Sequence, residues 1–151
     1  MSQRNVELVR TLQPSGGVDL AEVYSADTSA LVDGMAPLLD PSFECAFIAN
    51  ESSGFTTLAF RGAEGFVAGW REWLSPWESY RIDAEEFIDA GEQVVVLARV
   101  RARTRRGGVE MEHAPGAVWT VEDGRIRRIE FYLEGSQALE VARGRGSERG
   151  A

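Results

Sequence analysis

The sequence predicts an α+β fold: a curved antiparallel sheet wrapped around N-terminal helices and one long helix, a cone closed at one end. Three observations carry the prediction. Apolar residues recur at helical spacing over the first 40 residues and again over 63–74. Four segments of period-two alternation fill residues 80–133, separated by Ala90-Gly91, Gly107-Gly108 and Asp123-Gly124. A short helical stretch, Ser136–Arg143, follows them. The whole reads as one domain, residues 1–143, with a flexible tail over 144–151.

Each element has a local cause. Val6, Val9 and Leu12, with Leu8 beside them, form a helical stripe over 4–13, ended by Pro14-Ser15-Gly16-Gly17. Asp19 stands three residues before Glu22, a capping-box-like start for a short helix ending near Ser25. Asp27 or Thr28 can cap a third helix with Leu31, Met35, Leu38 and Leu39 as its buried side. Pro37 bends its last turn and Asp40-Pro41 stops it. Ser42–Ala49 alternates as a strand, with Phe43, Cys45 and Phe47 on one face. Asn50–Gly54 reads as a polar loop and Thr57–Arg61 as a short strand. Ala63–Leu74 is the strongest helix, its wide apolar face made by Phe66, Val67, Trp70, Trp73 and Leu74.

The sheet segments are Tyr80–Ile88, Gln93–Arg105, Val109–Val121 and Arg125–Leu133. In the second, Val96, Ala98, Val100 and Ala102 alternate with Arg99, Arg101, Arg103 and Arg105, so one face is dry and the other wet or paired. A two-residue turn at Gly107-Gly108 sets Arg105 opposite Glu110 and Arg103 opposite Glu112. It also sets His113 opposite Ala102, on the dry face. Pro115-Gly116 is expected to form a bulge that flips which neighbours face inward.

Composition excludes more than it selects. The net charge of −8 argues against nucleic acid and anionic membrane surfaces as partners. No run approaches the roughly 18 apolar residues of a membrane span, and the N-terminus lacks a signal-peptide layout, so a cytoplasmic location is expected. All sixteen basic residues are arginine; without lysine there is no Schiff base, no Lys general base and no phosphate-cradling loop ending in Gly-Lys-Ser or Gly-Lys-Thr. One histidine and one cysteine cannot build a zinc site of Cys and His ligands, so no metal is expected, and no intrachain disulfide can form. No Gly-rich dinucleotide turn follows a strand.

Several stretches resemble a known family: Asn5–Arg10, Leu38–Glu44, Phe87–Val96, Val118–Ile126 and Glu130–Glu134. On them the chain resembles a SnoaL-like protein of the nuclear transport factor 2 (NTF2-like, cystatin-like) superfamily, over residues 4 to 143. Residues 14–36 are longer than the tight helix–loop–helix usual in that family. The resemblance implies the cone fold, a hydrophobic pocket, and homodimers formed sheet to sheet, here through the Arg99–Arg105 face with Glu130 and Tyr132. The superfamily includes polyketide cyclases, steroid isomerases, epoxide hydrolases and proteins without activity, and most of its enzymes work without a cofactor. Counting along the motifs, the steroid isomerase's general-base Asp falls on Phe47, its oxyanion-hole Asp on Gly116 and its Tyr on Leu12. That constellation is absent.

His113 is the sharpest catalytic candidate, because a neutral imidazole facing an apolar interior can act as general acid or base. Phe47, Trp70, Trp73, Tyr80, Trp119 and Phe131, with Cys45, are the expected pocket wall. Tyr24, Tyr80 and Tyr132 are possible hydroxyl donors, and Glu110 with Glu112 a weaker carboxylate pair. The expected partner is a small hydrophobic molecule. Cyclase, isomerase or hydrolase chemistry stays open beside a non-catalytic binding or scaffold role.

Overall fold

The computed structural model describes residues 2–14, 17–48 and 58–150; the expected loop Asn50–Gly54 lies outside them. The helices are α1 (Ser2–Thr11), α2 (Leu20–Ser25), α3 (Ser29–Met35), α4 (Gly62–Leu74) and α5 (Gly135–Gly150). The strands are β1 (Leu39–Ile48), β2 (Leu58–Arg61), β3 (Trp77–Ala90), β4 (Gln93–Thr104), β5 (Glu110–His113), β6 (Gly116–Glu122) and β7 (Arg125–Tyr132). They make one curved sheet in the order β2-β1-β7-β6-β4-β3, with β5 pairing β4. Every pairing is antiparallel except β1 with β7, which run parallel.

The helical half is fixed by a few polar side chains. Asp19 caps α2, accepting from the Ala21 amide at 3.0 Å, and its same oxygen accepts from the Tyr80 amide at 2.9 Å. One carboxylate thereby ties the helices to β3. Arg71 on α4 donates to the Tyr24 carbonyl at 2.9 Å and the Ala26 carbonyl at 3.3 Å, closing the end of α2. Pro37 turns the end of α3 into the 3-10 turn Ala36–Leu38. Leu39 then starts β1, three residues before the sequence places a strand, and pairs with Ile126. Asp40 holds the chain across Pro41 by accepting from the Ser42 amide at 2.8 Å and hydroxyl at 2.7 Å.

The concave face carries the main core. Val94, Val96, Val100 and Ala102 of β4, with Ala117, Trp119 and Val121 of β6 and Ile129 of β7, pack against the helices. Helix α4 lies closest to β1 and β2: a Cβ on Gly69 would sit 2.8 Å from both the Phe47 and Phe60 rings. A second, smaller core lies on the convex face, where Ala138 and Ala142 of α5 cover Val95, Val118 and Tyr132.

Four expectations change. The β4–β5 hairpin pairs Arg103 with Glu110, Arg101 with Glu112 and Val100 with His113, two residues from the predicted register. The reason is a wider loop: Gly107 and Gly108 both take positive φ, and the Arg105 amide is drawn to the Pro76 carbonyl at 3.0 Å. A two-residue shift keeps faces unchanged, so His113 stays inward. Ala114-Pro115 interrupts the ladder without flipping it: β5 and β6 keep one register against β4, and His113, Ala117 and Trp119 share a face. Helix α5 continues past Arg143 to Gly150, and Arg145 donates to both oxygens of Glu130 at 2.5 and 2.8 Å. Glu130 (3% exposed) and Tyr132 (8%) are consequently buried beneath α5 instead of lying on an open sheet surface.

Candidate functional site

The concave face does not fill completely. A cavity of about 740 Å³ opens between the sheet and helices α1 to α4, within the size range of small-molecule pockets. All four tryptophans border it: Trp70 and Trp73 from α4, Trp77 from β3 and Trp119 from β6. Phe47 stacks on Phe131 at 4.7 Å between ring centres and on Trp73 at 5.9 Å, and meets Trp70 edge-on at 5.4 Å. Such interlocked rings hold a wall open without polar groups.

His113 ends β5 and is half-buried at the cavity wall. Burial pulls its pKa below the ordinary 6.5, and a hydrogen bond with the Leu133 backbone partly opposes this. A neutral imidazole keeps one ring nitrogen as an acceptor. Tyr80 lies edge-on to His113, 6.3 Å between ring centres, and its hydroxyl accepts from the Trp73 indole at 3.1 Å. Burial pushes the Tyr80 phenol up to about 12, so it stays protonated.

Phe47, Trp70, Trp73, Tyr80, Trp119, Phe131 and His113 all border the cavity. Cys45 does not; it is wholly buried in β1, and burial pushes its thiol up to about 12. Glu110 and Glu112 are exposed on the other face, Glu112 3.9 Å from Arg101. Tyr132 donates to Glu130 at 3.1 Å, and Tyr24 borders the cavity, stacked on Trp70 at 6.0 Å. Met35, Leu31 and Pro76 also line the cavity, and the sequence marks none of them as pocket residues. Helical spacing marks the first two as buried without telling core from cavity.

The profile of the SnoaL-like domain matches residues 20–129. The chain belongs to the SnoaL-like family. Solved structures similar to this SnoaL-like chain include an NTF2-like protein of unknown function from Burkholderia pseudomallei, 21% identical over 92% of this chain and 97% of that one, TM-score 0.62. TerC, co-crystallised with polyporic acid, is 18% identical over 93% and 98%, TM-score 0.62. A candidate SnoaL-like polyketide cyclase from a Jannaschia species is 17% identical over 86% and 96%, TM-score 0.57. At these identities the likeness is one of fold. Among curated proteins, sequence comparison finds no match.

In this SnoaL-like chain, Phe47, Gly116 and Leu12, the positions counted to the isomerase's acidic pair and tyrosine, all border the cavity. None can ionise. A side chain on Gly116 would in any case meet Gly135 and Ala138 of α5, at 2.8 and 2.9 Å from its Cβ. No helix among the described residues is long and apolar enough to cross a membrane.

Proposed function

We propose that this SnoaL-like protein binds an apolar, aromatic or polycyclic small molecule in its cavity, and that His113 serves there as general acid or base without a cofactor. The observation that carries this reading is an aromatic cavity of about 740 Å³ with a neutral imidazole in its wall. An imidazole below its ordinary pKa is a ready proton acceptor near pH 7, and the apolar surroundings strengthen any polar contact it makes. TerC, with the same fold, was co-crystallised with polyporic acid, which supports an organic small molecule as the ligand class.

A second reading, binding without chemistry, draws support from Phe47, Gly116 and Leu12, which leave no ionisable carboxylate at those positions. Native mass spectrometry of freshly purified protein finds the bound molecule, and its turnover by the wild type and by His113→Ala separates the two. Both readings expect a co-purified or added apolar molecule at one per chain. The catalytic reading expects His113→Ala to retain that molecule and lose its turnover; unchanged turnover would overturn it. A homodimer through the sheet face would have to use the Arg99–Arg105 strip, because α5 covers Glu130 and Tyr132.

A further inference from the structure

The charge along the cavity wall is one-sided. Among the described residues that border it, Glu72 is the only carboxylate and no arginine takes part. Burial keeps the His113 ring neutral near pH 7, so it adds no positive charge. Glu72 lies in the last turn of α4, beside Trp73. It is exposed, and among the described residues nothing pairs with its carboxylate. The arginines at that end of the helix are engaged elsewhere and do not border the cavity. Arg71 donates to the Tyr24 and Ala26 carbonyls, and Arg105 to the Ser75 carbonyl at 3.0 Å. Exposure rises along the wall: Trp119 and Trp70 are 4% and 7% exposed, Trp73 is half-buried and Glu72 is open to water. The deep part is therefore apolar, and indole meets an unpaired carboxylate at the mouth. An electron-rich ring and a carboxylate both attract an ammonium group. Deep burial of that charge without a partner would be costly, which leaves the mouth as its place. The net charge of −8 draws cations towards the chain and repels anions.

We propose that the cavity takes organic amines: an aromatic body fills the deep part, and its ammonium group stays at the mouth with Glu72 and the Trp73 ring. This rests on the small-molecule reading above and narrows it to a charge class. Glu72 is thereby a specificity-determining residue, favouring cations over neutral molecules and anions of the same shape. A tertiary or quaternary ammonium suits the site best, because its methyl groups spread the charge over surface that packs against indole.

The test uses (2-naphthylmethyl)trimethylammonium and 2-neopentylnaphthalene, which share a shape and differ by a quaternary nitrogen against a quaternary carbon. Binding of each to the full chain is measured together with the N-methyl proton resonance of the bound cation. A merely apolar cavity would hold the neutral molecule more tightly, since that molecule has no charge to desolvate. The wild type is instead expected to bind the cation about three- to tenfold more tightly, with the N-methyl resonance moved upfield by the aromatic rings. Glu72→Gln should weaken the cation about two- to fivefold and flatten its dependence on salt. The neutral molecule should bind Glu72→Gln as it binds the wild type, which also reports that the variant is folded. Tighter binding of the neutral molecule, or a cation affinity untouched by Glu72→Gln, would overturn the amine assignment while leaving the pocket reading intact. Failure of both probes to bind would overturn the pocket reading and this proposal with it.

Discussion

His113 and Cys45 are the only imidazole and thiol, and their surroundings give them opposite fates. Burial depresses the folded-state pKa of His113 below 6.5, and no charged group contributes to that shift. The sign follows from linkage: the unfolded chain binds the proton more readily, so the histidine costs no stability above its unfolded pKa. As pH falls through about 6.5 towards the folded value, folding is progressively penalised. Urea midpoints measured between pH 8 and pH 5 should therefore fall more for the wild type than for His113→Gln. Parallel curves would contradict the burial of this ring. Cys45, wholly buried with its thiol pushed up to about 12, should resist a thiol reagent in native buffer and react only on unfolding. The sequence placed both residues on inward strand faces by period-two alternation alone. It could not tell a cavity wall from a filled core, which is why Cys45 was expected to line the pocket.

At the scale of elements, alternation was legible wherever a strand has one dry face: β4 reads directly from Val96, Ala98, Val100 and Ala102. Register was less so. The β4–β5 loop is widened by a backbone contact to Pro76, distant in sequence, and β3 shifts register between Ala84 and Glu86. That shift changes the inward set from Tyr80, Ile82 and Ala84 to Phe87, bending the sheet round the helices with no glycine or proline to announce it. The approach of α4 to the sheet depends on Gly69. Gly69→Ala would gain helix propensity but drive a methyl to 2.8 Å from two phenyl rings. The net expectation is a loss of about 1–2 kcal/mol in denaturant unfolding, with the Phe47–Trp73 stack disturbed. A neutral or stabilising outcome would show that the rings relax and that the helix is not seated as described.

Across the whole molecule, the two faces of the sheet do different things. The concave face encloses the cavity, while the convex face is partly roofed by α5. Burial alone would raise the pKa of Glu130, but Arg145, Arg128 and Tyr132 together hold it below 4.5. Its stabilisation is fully present above its unfolded pKa and lost as pH falls through the folded one. A chain ending at Arg143 lacks the Arg145 pair and should lose about 2 kcal/mol at neutral pH, with the gap to the full chain closing in acid below about 4.5. A constant gap across that range would separate α5 docking from the Glu130 pair. The helix reads from Ser136–Arg143, but its extension to Gly150 and its tie to Glu130 do not, because α5 is weakly amphipathic and rich in glycine and its ion-pair partner is a distant carboxylate.

The aromatic interior encloses an open space of about 740 Å³, the size of a small ligand. The decisive experiment is a crystal structure of the full chain grown with 9-fluorenone, a flat aromatic tricycle. Density for the tricycle among Phe47, Trp70 and Trp119 is the expected result. Side chains collapsed into the cavity, with fluorenone absent or confined to the outer surface, would contradict it.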